Sequence, residues 1–190
     1  MRVISGKLKG RSIKGYDIDG TRPTMDRVKE SLFASIQDYL EDAIVLDLFA
    51  GTGNLGIEAI SNGCSQCYFI DNNKRCIETI KDNLSDFRIE HQGIVMNKDY
   101  IDALTCFKDK NIQFDIIFVD PPYRYHVMNK ILDFILRYEL LKDRGIIVLE
   151  YSEDKLEELG EEYQLLKYKK YGDKFISIIQ KNVELKSKRS

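Results

Sequence analysis

The sequence predicts an α/β protein: a mostly parallel seven-stranded sheet finished by a terminal antiparallel strand, with an N-terminal β-hairpin extension ahead of it. Three observations carry that expectation. Short apolar runs alternate with helix-patterned segments from Ile44 onward, a glycine turn joins the first run to its helix, and two adjacent strand-patterned runs, YQLLKYKKYG and DKFISIIQ, follow near the C-terminus.

In chain order, RVISGKLKGRSI holds two apolar stretches split by Gly6 and Lys7, and Gly10, Gly15 and Gly20 punctuate a loop, so the segment reads as a hairpin-bearing extension. Thr24 is expected to cap a helix over MDRVKESLFASIQDYL, because Val28, Leu32, Phe33, Ile36 and Leu40 recur at helical spacing. IVLDLFA is the first strand, GTGN its turn and LGIEAISNG the next helix. QCYFIDNN with KRCIETIKDNL repeats the unit, as does GIVMN with a helix near YIDALTCF. FDIIFVD is the fourth strand, followed by a helix through HVMNKILDFILRY, and GIIVLEY is the fifth. Parallel strands need such crossovers, and the crossovers are right-handed. YQLLKYKKYG and DKFISIIQ complete the sheet as an antiparallel pair, and NVELKSKRS is a frayed polar tail. The expected division is a basic hairpin extension over 1–22, an α/β domain over 23–180 and the tail over 181–190.

A chain of 190 residues with 43% apolar content is long enough for one well-buried domain and too short for two of full size. No stretch approaches the apolar length that spans a bilayer, and the basic start lacks the apolar region of a secretion signal. A cytoplasmic protein without a membrane partner is expected. Cys64, Cys67, Cys76 and Cys106, with only His91 and His126 for company, have no paired ligand spacing, so buried free thiols are expected and no metal site. The formal charge is −2, yet residues 1–30 carry eight Lys or Arg against four Asp or Glu. Arg2, Lys7, Lys9, Arg11 and Lys14 in this segment are candidates for holding nucleic-acid phosphates without reading sequence.

Two motifs suggest chemistry. In Asp47-Leu48-Phe49-Ala50-Gly51-Thr52-Gly53-Asn54-Leu55-Gly56, glycines fall between a strand and a helix, where they permit tight turning and close approach of a ligand. Asp71, after the second strand, is placed to accept ribose hydroxyls. That geometry also serves a nicotinamide dinucleotide, but Asp47 repels a pyrophosphate and the spacing is not G-x-G-x-x-G. A cation without phosphate fits better, and S-adenosylmethionine has that chemistry: Asp47 for its amino group, Asp71 for its ribose and Asp99, after the third strand, for its adenine amine. The second motif, Asp120-Pro121-Pro122-Tyr123, ends FDIIFV with a carboxylate, two prolines and a ring. A planar amine is a poor nucleophile because its lone pair is delocalised, so an enzyme must hold it with acceptors such as Asp120 and a backbone carbonyl, while Tyr123 stacks on the ring.

The ordered series RVISGKLKGR, TRPTMDRVKESLF, VLDLFAGTGNLGIEAISNG, FIDNN and FVDPPY, running from about Met1 to Gln180, resembles the bacterial small-subunit (16S) ribosomal RNA guanine-N2 methyltransferase family, within the Rossmann-like S-adenosylmethionine-dependent methyltransferases. The resemblance implies the Rossmann-like methyltransferase fold, S-adenosylmethionine as cofactor, and 16S rRNA as partner, in a small subunit or an assembly intermediate, for a monomeric enzyme. It implies that Arg22, Thr24, Asp47, Phe49, Gly51, Gly53, Asp71, Asn72 and Asp99 line the cofactor site, and that Asp120, Pro121, Pro122 and Tyr123 hold the target amine. Asn62 replaces an arginine frequent at that family position, and the tail after Gln180 has no counterpart. Amino-methylation of DNA adenine or of a protein glutamine uses a similar acceptor motif and stands as the alternative enzyme reading. A non-catalytic RNA-binding assembly factor is the alternative of another class.

Overall fold

In the computed structural model, which describes residues 1–15, 22–121, 126–151 and 160–182, the apolar runs form one seven-stranded sheet. Its strands are β1 (Ile44–Asp47), β2 (Gln66–Asp71), β3 (Gly93–Asn97), β4 (Phe114–Val119), β5 (Leu141–Tyr151), β6 (Tyr163–Tyr171) and β7 (Lys174–Lys181), in the order β3-β2-β1-β4-β5-β7-β6. The first five are parallel, and β7 enters antiparallel between β5 and β6. The expected fold class is borne out, and the position of β7 proves important for the site. Gly20 and most of the expected polar tail lie outside the described residues.

Side chains alternate across each strand, so the parallel strands bury both faces and read as unbroken apolar runs. Val45, Phe69, Ile116, Phe118, Ile146 and Val148 face one core, covered by α1 (Arg22–Ser35), α2 (Asn54–Ser61) and α3 (Lys74–Phe87). Leu46, Ile70, Ile117, Val119, Ile147 and Leu149 face the other, covered by α4 (Tyr100–Asp109) and α5 (His126–Arg137). In α3, Ile77, Ile80, Leu84 and Phe87 recur at three and four residues and are all buried. Burial of each such side chain contributes about 1.5–3 kcal/mol. Among the described residues no helix is long and apolar enough to cross a membrane.

Two local expectations are corrected. Helix α1 begins at Arg22, which puts Thr24 inside its first turn and not at its cap; Pro23, with φ preset and no N–H to satisfy, suits a first turn. The helix also stops at Ser35, whose hydroxyl donates back to the Ser31 carbonyl, and Gln37–Tyr39 continue as a 3-10 turn. Ile36 and Leu40 are buried all the same.

The N-terminal hairpin is reduced to one antiparallel bridge, Arg2 with Ser12, flanked by Val3 N–H to Arg11 O (2.9 Å) and Ile13 N–H to Met1 O (2.8 Å). Between the two arms lies a 3-10 turn, Gly6–Leu8. Val3, Leu8 and Ile13 belong to the first core, and buried polar side chains hold the backbone. Glu58 accepts from the Ile4 and Ser5 N–H groups, Ser61 Oγ accepts from Leu8 N–H at 2.9 Å, and Asn83 Oδ1 accepts from Lys14 N–H at 2.9 Å. Gly6 has φ of 74°, and a Cβ there would lie 1.9 Å from the Ser61 carbonyl oxygen, so only glycine fits the seat.

Candidate functional site

The carboxyl ends of the parallel strands open onto a cleft of about 430 Å³, where a doubly wound sheet places its ligands. Phe49 and Gly51 after β1, Asp71 and Asn72 at the end of β2, Asp99 and Tyr100 at the start of α4, and Asp120 and Pro121 after β4 all line it. Sequence positions 49 to 121 thus converge because each parallel strand ends at the same edge.

The glycine turn is built as its residues demand. Gly53 has φ of 84° and forms the N-cap of α2, while Gly56 packs against β2 so closely that a Cβ would fall 2.2 Å from Phe69 Cε1. Gly51 N–H donates to Asp71 Oδ2 at 2.8 Å, and Asp71 Oδ1 accepts from Asn73 N–H at 2.8 Å. Asp71 therefore ties the turn to the end of β2, and each carboxylate oxygen keeps a lone pair for a ligand hydroxyl. Asp99 is both the N-cap of α4, accepting from Ile101 N–H at 3.0 Å, and a wall of the cleft. The Phe49 and Tyr100 rings, 5.5 Å apart, supply flat apolar surface beside it.

Asp47 and Gly53 are not among the residues lining the cleft. Asp47 is buried beneath the turn, where Oδ2 accepts from Gly56 N–H at 3.0 Å. A first-turn N–H of α2 that would otherwise face a phosphate is thereby satisfied from within. Burial pushes the Asp47 carboxyl up from 3.8 to about 7; the Gly56 N–H opposes this and the Asp71 charge adds to it. Between those two values the folded state holds a proton that the unfolded chain has lost, so this group lowers stability progressively as pH rises from about 4 to 7 and no further above it. Asp47→Asn, which keeps an acceptor for Gly56 but carries no charge, is expected to match the wild type near pH 4 and exceed it in stability at pH 8 by roughly 4 kcal/mol at most. Urea denaturation at both pH values checks this; an equal difference at pH 4 and 8 would show that Asp47 does not titrate there.

Asp120 is also pushed up, to about 7, first by the desolvating walls of the cleft and then by the charges of Glu150 and Asp47, with Lys174 pulling the other way. Its side chain stays open to solvent, which screens these charges. Glu150 and Lys174 line the cleft and form an ion pair with each other. Neither belongs to a sequence motif; they meet because β7 runs antiparallel beside β5, pairing Tyr151 with Phe175.

Of the other expected site residues, Arg22 and Thr24 lie in the first turn of α1, and their side chains are outside the described part of the structure, as are Pro122 and Tyr123. The basic residues diverge. Arg2 Nε meets Asp26 at 3.0 Å and shares a groove with Lys9; Lys7 Nζ donates to Gln92 at 2.7 Å; Arg11 lies over the Phe87 ring; Lys14 pairs with Asp86 at 2.6 Å. Cys64 and Cys67 are buried with their thiols pushed up by burial, whereas Cys76 and Cys106 are half-buried. Asn62 caps the C-terminus of α2, its Nδ2 donating to the Glu58 carbonyl at 2.8 Å.

On the side of β2 and β3 the cleft offers the carboxylates of Asp71 and Asp99 and the Phe49 ring, a set that fits a ribose and an adenine, while Asp47 satisfies the Gly56 N–H of α2 from within. S-adenosylmethionine, which carries both groups and no phosphate, is chemically compatible with that set.

Residues 1–180 match the model of a family described as Conserved hypothetical protein 95. YlbH of Bacillus subtilis, named provisionally as an rRNA methyltransferase, is 42% identical over 154 residues, covering 81% of this chain and 84% of that protein. Ribosomal RNA small subunit methyltransferase D of Haemophilus influenzae is 32% identical over 173 residues, covering 90% and 89%. The solved structure of yhhF from Escherichia coli, named provisionally as a methyltransferase, superimposes with a TM-score of 0.84 at 29% identity, covering 96% of this chain and 98% of that one.

Proposed function

Because the chain belongs to the family described as Conserved hypothetical protein 95 and is 32% identical to a ribosomal RNA small subunit methyltransferase D, we propose that it transfers a methyl group from S-adenosylmethionine to the exocyclic N2 of a guanine in 16S ribosomal RNA. The observation that carries this is the convergence of Asp71, Asp99 and Asp120 on one cleft, with the first two on the side of β2 and β3 and the last at the tip of β4. When bound, the cofactor supplies an electrophilic methyl group on a sulfonium.

The chain's own residues do the rest. Asp71, Asn72 and Asp99 fix the adenosyl half of the donor. Asp120 and a carbonyl of the Pro121-Pro122 segment accept the two hydrogens of the target amine, turning its nitrogen toward the methyl group, and Tyr123 stacks on the base. Water takes the proton released after transfer. The base must leave its stack to enter the cleft. Arg2, Lys7, Lys9, Arg11 and Lys14 contact phosphates on the flank of the N-terminal segment, exchanging partners such as Asp26 and Asp86 for the RNA backbone. The substrate is a small subunit or an assembly intermediate in the cytoplasm, met by a monomeric enzyme.

The test is incubation with labelled methyl donor and, separately, small subunits lacking the modification, protein-free rRNA, DNA and a release factor. Label recovered as N2-methylguanosine from small-subunit RNA is the expected result. Label only in DNA adenine or protein glutamine, or RNA binding with no transfer to any substrate, overturns it.

A further inference from the structure

The sheet order β4-β5-β7 sets Asp120, Glu150 and Lys174 side by side along one wall of the cleft: an acceptor, a second acceptor and a donor. Glu150 is 15% exposed and Lys174 50%, so both are held by their strands yet reachable from the cleft. The pair is not needed to join its strands, because β5 and β7 are already zipped from Ile146 and Gln180 to Tyr151 and Phe175. An exposed ion pair adds at most about 1 kcal/mol to such a ladder.

Guanine presents, along its pairing edge, the N2 amine as donor, N1–H as donor and O6 as acceptor, in that order. Adenine offers an acceptor at N1 and a donor where guanine has O6. We propose that Glu150 and Lys174 are the specificity-determining residues of the acceptor site, Glu150 accepting N1–H and Lys174 donating to O6 while Asp120 holds the N2 amine. This rests on the guanine-N2 reading above. The wall's order of acceptor, acceptor and donor complements the edge of guanine and of no other base. A base with N1 unprotonated would set a lone pair against the Glu150 carboxylate, and an amine in place of O6 would set a donor against the Lys174 ammonium, so each mismatch places like against like on the wall.

The discriminating substrate is 2,6-diaminopurine riboside, which keeps the N2 amine but has an acceptor at N1 and an amine in place of O6. Small subunits are reconstituted with RNA carrying guanosine or 2,6-diaminopurine riboside at the nucleotide mapped with the wild type, and kcat/KM is measured for each. Wild type is expected to favour guanosine by about 100-fold or more. Glu150→Gln, whose amide offers one acceptor and one donor, is expected to lose on guanosine and gain on 2,6-diaminopurine, lowering the ratio at least about tenfold. Lys174→Met should lower it by removing both the O6 donor and the charge facing the amine. Calorimetric affinity for the donor and urea unfolding accompany each variant to confirm that it is folded. A ratio unmoved in both folded variants, whatever the fall in overall rate, overturns the inference and leaves the guanine reading standing. A wild type that methylates no guanosine removes the guanine reading and this inference with it.

Discussion

Asp120→Ala is expected to lower single-turnover methyl transfer by about 10²–10³-fold while calorimetric affinity for S-adenosylmethionine stays unchanged. The split follows from position. Asp120 ends β4 on the acceptor side of the cleft, whereas the turn and the end of β2 are held by Asp71. Asp71→Ala is the mirror control: it removes a ligand acceptor and frees Gly51 N–H, so donor affinity should fall. Asp120→Asn, whose amide oxygen still accepts but carries no charge, should retain more transfer than Asp120→Ala. The ionised carboxylate is the stronger acceptor, because protonation turns one of its oxygens into a donor. Its upward shift to about 7 therefore predicts that the wild-type rate climbs as pH passes through neutrality, and that the variants lose this dependence. Equal losses of affinity and rate in Asp120→Ala would move this residue out of the acceptor site.

Lys29→Met is expected to destabilise the fold by about 3–5 kcal/mol, the cost of stranding a buried charge. Lys29 and Glu58 are 3% and 0% exposed and 2.9 Å apart. The ammonium also donates to the Arg2 carbonyl at 2.6 Å and to Asn54 Oδ1 at 2.7 Å, and Glu58 accepts from Ile4 and Ser5. Burial pulls the Lys29 ammonium down from its ordinary value, and Glu58 opposes that pull. Methionine fills the volume but leaves the Glu58 carboxylate without a countercharge. Glu58→Gln should cost a similar amount for the opposite reason, leaving the ammonium alone. Replacing both partners by apolar residues should not restore stability, because the Ile4 and Ser5 N–H groups would still lack an acceptor. In a chain of this size the single variants should melt roughly 10 °C lower; a loss below about 1 kcal/mol would mean that water screens the pair.

The sequence makes the sheet legible because both of its faces are covered. Runs such as FDIIFV are unbroken, and alternation sorts Ile116 from Ile117 into opposite cores. The cleft is legible where the ligand-facing residues follow strand ends, as Asp71, Asp99 and Asp120 do. Asp47 is read less well, since position alone does not tell that its carboxylate turns under the glycines to meet Gly56. Glu150 and Lys174 are invisible to motif reading: 24 residues separate them, and only the insertion of β7 beside β5 joins them. Glu58 sits in LGIEAIS, an apolar helix pattern in which a lone acid gives no hint of its partner on α1. The basic segment reads as one patch because charge counts carry no direction, whereas its side chains leave toward α1, α3 and Gln92.

Met1 to Lys14 emerge from the ribosome before anything they rest on exists. Their anchors are Glu58, Ser61 and Asn83, which are made 53 to 69 residues after their partners. This segment therefore settles only after the helices it rests on, waiting with its lysines and arginines unsheathed until α2 and α3 are complete, and closing that long loop carries an entropic cost.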